Sequence, residues 1–220
     1  MKKIGFIILL SFFLCTGLQA KQWLVFFAKE GFFDGVIRQS FGHAYVGLIW
    51  EDPVLKKKIL VDCFGFYPKG GIETKGLFGF MDGEMRDDVA SNREHDFAVE
   101  ITEQELLSCL IVKKMWAKKQ YCLMANNCID FMRGYCKLVS KLKIPGGFFL
   151  LPSTFINALR DENEKLERRA ELHNVVEMDK GYMSKFGFIK RQQHKINEKF
   201  KKIKFKKLKL FSRDTIPGNK

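Results

Sequence analysis

Cysteine is sparse in this chain: its six residues follow no regular spacing, which excludes a small disulfide-stapled scaffold. Glycine, at 18 of 220 positions, is far short of a collagen repeat. Beyond the first twenty residues no apolar run approaches the roughly 18 residues needed to span a bilayer. The glycines from Gly70 to Gly83 lack the Lys-Ser/Thr ending of a phosphate loop. His43, His95, Cys63 and Cys128 lack the short spacings of a zinc site. Asp82, Glu84, Asp87 and Asp88 do not follow the calcium-loop pattern. No metal and no cofactor is expected from these residues.

What is present is apolar material and positive charge. Hydrophobic residues make up 46% of the chain, with 22 Phe, enough for the core of one globular domain and too much for a mainly disordered chain. Lys+Arg number 38 against 25 Asp+Glu, a formal net charge of +13, which points to an anionic partner. That excess is not spread evenly. Residues 185–220 hold 13 Lys+Arg against Glu198 and Asp214, an excess of 11, and Lys2 and Lys3 add two more. Residues 21–184 carry 23 of each sign.

The first 20 residues, MKKIGFIILLSFFLCTGLQA, run from two lysines through an apolar stretch from Ile4 to Cys15 to a small residue, Ala20. This is the order of a secretory signal peptide. The expectation is an exported protein, periplasmic or extracellular, starting near Lys21. Five cysteines remain after such a cut: Cys63, Cys109, Cys122, Cys128 and Cys136. An odd number leaves at least one thiol unpaired.

Apolar, aromatic runs at Gln22–Ala28, His43–Trp50, Lys58–Tyr67 and Phe97–Ile101 read as strands, the second and third as an antiparallel hairpin about the polar break at Glu51-Asp52-Pro53. Residues 68–92 read as a long loop. Thr102 followed by Glu105 predicts a capped helix. Asn126 and Asn127 predict a cap for a second helix from Cys128 to about Leu142, and a third starts near Ser153 and continues through RDENEKLERR. The fold class is α+β, an antiparallel sheet with helices late in the chain.

Two local patterns carry candidate chemistry: Phe41-Gly42-His43-Ala44-Tyr45 at a strand start and Asn126-Asn127-Cys128-Ile129-Asp130-Phe131 at a helix start. A thiol attacks as thiolate, and a helix N-terminus and a neighbouring imidazolium both lower its pKa. Cys128 is placed for the first, and His43 is the candidate base that would take the thiol proton and return it to a leaving group. Asp62, the only acid on the Lys58–Tyr67 strand, is the candidate to orient His43. His95 and Asp96 form a competing pair. The Cys128 N–H, helped by Asn127, is the candidate oxyanion donor.

The order FGHAYVGL, GFYP, VEITEQEL, NNCIDF and IPGG resembles the circularly permuted papain-like superfamily, which includes relatives of NlpC-type cell-wall peptidases and lecithin:retinol acyltransferase-like proteins. The resemblance covers roughly residues 21 to 158. It implies a permuted papain-like fold, with Cys128 as nucleophile, His43 as base and the third polar residue on the strand of Asp62. The implied activity is attack on an amide or ester carbonyl through an acyl-enzyme.

These readings divide the chain into a signal peptide (1–20), a permuted papain-like domain (21–160), a charged helical extension (161–184) and a basic amphipathic tail (185–220). In the tail Ile196, Phe200 and Ile203 share a helical spacing, and Phe205, Leu208, Leu210 and Phe211 follow among lysines. Such a segment fits an anionic membrane surface, and export argues against nucleic acid as the partner. The favoured substrate is a cell-wall peptide amide. Acyl transfer on lipid or lipoprotein by the same residues, and a non-catalytic envelope-binding protein, are the alternatives.

Overall fold

In the computed structural model, β1 (Gln22–Lys29) is an interior strand of the sheet and its side chains from Gln22 to Ala28 are buried. The structure describes residues 20–29, 42–52, 56–70, 79–88, 95–172 and 175–177. The expected leader over 1–19, residues 71–78 of the glycine-bearing loop and the basic tail over 185–220 lie outside the described residues.

The remaining strands are β2 (His43–Glu51), β3 (Lys58–Pro68), β4 (Met81–Asp87), β5 (His95–Glu100), β6 (Gln120–Tyr121) and β7 (Val176–Glu177). Six of them lie in the order β5-β1-β2-β3-β4-β6, antiparallel throughout, and β7 pairs parallel with Ile59 and Leu60 of β3. The helices are α1 (Glu103–Trp116), α2 (Cys128–Cys136) and α3 (Pro152–Glu162). The protein is α+β, with an antiparallel sheet and its helices late in the chain. Among the described residues no helix is long and apolar enough to cross a membrane.

Strand alternation sorts the apolar residues into two layers. Leu24, Phe26, Ala44, Val46, Leu48, Phe64, Phe66, Phe97 and Val99 face the three helices. Trp23, Val25, Phe27, Tyr45, Ile49, Leu60 and Cys63 form the other layer, against Leu172 and Val175. A bulge shifts this alternation within β3. Ile49 pairs with Leu60 but Leu48 with Asp62, so Val61 is the extra residue. One inserted residue exchanges the faces of everything that follows, and Asp62, Phe64 and Phe66 thereby turn toward the helices.

The β2–β3 hairpin and the Thr102–Glu105 capping box form as expected, Glu105 N donating to Thr102 Oγ1 at 3.2 Å and Thr102 N to Glu105 Oε2 at 2.8 Å. Three expectations are corrected. Residues 68–92 contain a strand, β4, whose sequence MDGEMRD hides its period of two because much of it is exposed or half-buried and charged. Helix α2 stops at Cys136, after which Leu138, Val139 and Leu142 bond three residues back in tight turns. Helix α3 stops at Glu162, where Asn163 turns its side chain to Lys143 and Leu159. Two short 3₁₀ segments, Glu164–Leu166 and Arg169–Leu172, follow in place of the helical extension expected from residue 161.

Phe66 is fully buried at the centre of an aromatic cluster, with ring centroids 4.9 Å from Trp116, 5.5 Å from Tyr121 and 6.4 Å from Phe131. Phe66→Ala is expected to lower the unfolding free energy by about 3–5 kcal/mol in urea denaturation. A loss below about 1 kcal/mol would show that the cluster does not hold the sheet to the helices.

Candidate active site

The N-terminus of α2 is built by its cap. Asn127 is in extended backbone, and its Oδ1 accepts from the N–H of Ile129 at 2.8 Å and of Asp130 at 3.1 Å. Asp130 Oδ2 accepts from Asn127 N at 3.2 Å, and Asn127 Nδ2 donates to Leu123 O at 2.6 Å. This capping box holds Cys128 at the first helical position. It also engages both ends of the Asn127 amide, the Nδ2 group using one of its two N–H donors on Leu123 O, so Asn127 orients the turn.

Cys128 is buried. Burial pushes its thiol up to about 11, against the N–H groups of Ala44, Cys128 and Ile129, which draw it down. The helix N-terminus therefore moderates a raised pKa and does not produce the lowered one expected from sequence. Cys109 and Cys136 are pushed up further, again by burial. Cys63, Cys109, Cys122, Cys128 and Cys136 are all buried free thiols.

The Ala44 N–H brings the thiol to β2. The β2–β3 ladder runs only as far as Tyr45 and Gly65, and Ala44 is one residue beyond that end. The main-chain N of Ala44 is bonded to the His43 carbonyl carbon, so a sulfur at hydrogen-bond range of it is within about 6 Å of the His43 Cα. Helix α2 packs on β2.

The His43 side chain is buried on the layer opposite Ala44. Its ring stacks on Tyr67, with centroids 3.8 Å apart and planes at 29°. Nε2 is 3.8 Å from Asp88 Oδ2, an ion-pair distance too long for a hydrogen bond, and makes no hydrogen bond to any described group. Asp88 Oδ1 accepts from Tyr67 Oη at 2.5 Å. Burial holds the imidazole below its ordinary 6.5. The Asp88 carboxylate opposes this, and Lys29 and Arg86 push the same way as burial. His43 is thus neutral at pH 7.

The acid beside His43 is Asp88, not Asp62. Asp62 pairs opposite Leu48, faces the helices because of the bulge at Val61, and receives the Lys113 ammonium at 2.7 and 2.9 Å. The alternative pair is elsewhere as well. Asp96 pairs with Phe27 on the far side of β1 and accepts from Arg169 Nη1 at 3.0 Å, and His95 pairs with Ala28. Sequence reasoning passed over Asp88 because it belongs to the acidic run Asp82–Asp88, which resembles a solvated stretch. The signal within that run is the strand formed by its first residues, which carries Asp88 along the Phe64–Pro68 half of β3.

Gly65 makes the approach sterically feasible. A Cβ at that position would overlap His43 Nε2 and lie 2.6 Å from Asp88 Oδ2, so this floor position excludes any side chain. The phenols of Tyr67 and Tyr121 both feel the Cys128 sulfur, and Tyr67, which stacks on His43 and bonds Asp88, is the residue common to thiol, imidazole and carboxylate. Among the described residues no three His, Cys, Asp or Glu groups come together to hold a metal ion. The cluster is suited to nucleophilic chemistry with a neutral thiol, a neutral base and main-chain donors. No family model, curated protein or solved structure matches this chain.

Asn127→Ala is expected to cost about 1 kcal/mol in thermal or denaturant unfolding, with Asn127→Asp keeping most of it. Alkylation of Cys128 by iodoacetamide, followed on its own tryptic peptide, is expected to accelerate steadily to pH 10, since the thiolate is the reacting form and its pKa is about 11. A plateau between pH 6 and 8 would instead mean a preformed thiolate.

Proposed function

We propose that this protein is an exported cysteine hydrolase or acyl transferase of permuted papain-like fold, acting on amide bonds, with cell-wall peptides as the favoured substrate class. The observation that carries the reading is the capped helix start at Cys128, whose thiol takes the N–H of the residue next to His43. The export leader and the basic tail support action at the cell envelope, with anionic lipid as the surface partner of residues 185–220.

In this reading the neutral His43 presents Nε2 to Asp88, leaving Nδ1 as the nitrogen that exchanges a proton with the thiol. Attack by sulfur on a carbonyl carbon forms the S–C bond as the thiol proton passes to His43. Collapse expels the amine, which takes that proton, and leaves an acyl-Cys128. Water or another nucleophile then bonds to the acyl carbon as its proton passes to His43; the S–C bond breaks, the acylated product leaves, and His43 returns that proton to the Cys128 sulfur. The Cys128 N–H at the start of α2 is the main-chain donor toward the charge that develops on oxygen, those of Ile129 and Asp130 being bonded to Asn127 Oδ1.

A non-catalytic envelope-binding scaffold is the second reading, favoured by a thiol that is only 6% exposed and held near 11. Purified protein incubated with wall peptides and with lipid esters separates the two. The hydrolase reading expects turnover and an acyl adduct on Cys128, with Cys128→Ala and His43→Ala each lowering the rate by about 10³-fold or more. The absence of both turnover and adduct on every substrate would establish the scaffold, and turnover that survives Cys128→Ala would overturn Cys128 as the nucleophile.

A further inference from the structure

We propose that Tyr67 is a positioning residue for His43: its hydroxyl fixes the Asp88 carboxylate and its ring backs the imidazole, so that Asp88 presents one oxygen to Nε2 in a set orientation. This rests on the reading of His43 as the base. The geometry has three parts. Tyr67 Oη donates to Asp88 Oδ1 at 2.5 Å, which stops the carboxylate from turning. The Tyr67 ring stacks on His43 at 3.8 Å, which stops the imidazole from tilting away. Gly65 leaves the space between Nε2 and Oδ2 unfilled.

A phenol donating to one carboxylate oxygen withdraws charge from the other, so the hold of Asp88 on an imidazolium weakens. Tyr67 therefore favours the neutral base. The charged groups acting on His43 are Asp88 beyond β4, Lys29 on β1 and Arg86 on β4, whose guanidinium lies 4.9 Å over the Tyr67 ring. Burial and Asp88 raise the Tyr67 phenol well above its ordinary value, so it stays a donor across the working pH range.

The test is an NMR titration of the His43 imidazole in the full chain, assigned with His43→Gln. Tyr67→Phe keeps the ring and removes only the hydroxyl. It is expected to raise the His43 pKa by about 0.5 unit or more, roughly threefold in proton affinity, and to move the acid limb of any turnover profile the same way. Asp88→Asn is expected to lower the His43 pKa, and Tyr67→Leu, which loses ring and hydroxyl together, to broaden the His43 resonance. A Tyr67→Phe titration within about 0.2 unit of wild type, with Asp88→Asn still lowering His43, would overturn the assignment of Tyr67. The titration reads His43 directly, so absence of turnover would sink the hydrolase reading and leave this assignment standing.

Discussion

The site depends on where one ladder of hydrogen bonds ends. β2 and β3 pair from Glu51 and Lys58 as far as Tyr45 and Gly65, while β3 continues beside β4 to Pro68. Past that point β2 and β3 serve different partners. The N–H of Ala44 goes to a thiol carried in by α2, and Tyr67 on β3 turns to Asp88 beyond the end of β4. The end of β2–β3 pairing is thus the place where a helix start, a strand start and a strand end meet.

The bulge at Val61 is the second condition, and it explains why part of the site was legible in sequence and part was not. His43 and Cys128 stood out because each occupies a position with a local signature: a Gly-His at the start of an aromatic strand, and a Cys after a capping Asn. Those signatures depend on neighbours within four residues, and the capping box at Asn127 and Asp130 forms accordingly. The acid beside His43 depends on register, which short-range pattern does not reveal. Counting β3 without its extra residue puts Asp62 on the face of His43. With Val61 inserted, Asp62 faces α1 and meets Lys113. Asp88 was hidden for a related reason: β4 carries acids and Arg86 where a buried strand would carry apolar residues, and it reads as loop until its pairing with β3 is known. The strands β1, β2, β3 and β5 were legible because their apolar runs are long and aromatic, whereas the ends of α2 and α3 are set by turns that no single residue announces.

The same burial that assembles the site sets its electrostatics. His43 and Cys128 are 7% and 6% exposed, and desolvation is the largest influence on both, lowering the imidazole and raising the thiol. Each is therefore held in its neutral form at pH 7. Burial thus sets the thiol high, at about 11, and the imidazole low, and this separation favours the neutral thiol and neutral imidazole over a thiolate–imidazolium pair.

That separation constrains how the proposed chemistry proceeds. Proton transfer to His43 ahead of S–C bond formation would pass through the disfavoured ion pair, so in the proposed reaction transfer and attack run together. The charge then appears on a carbonyl oxygen as it leaves sulfur, beside the Cys128 main-chain N–H, whose position is fixed by the Asn127 cap before substrate arrives. Donors of that kind require little reorganisation at the moment of reaction, and in a water-poor site each interaction is stronger than it would be in solvent. The burial that makes Cys128 unreactive at rest is, by this argument, the same property that strengthens the stabilisation of its transition state. A neutral imidazole kept in line by Asp88 and Tyr67 is the base such a concerted step needs.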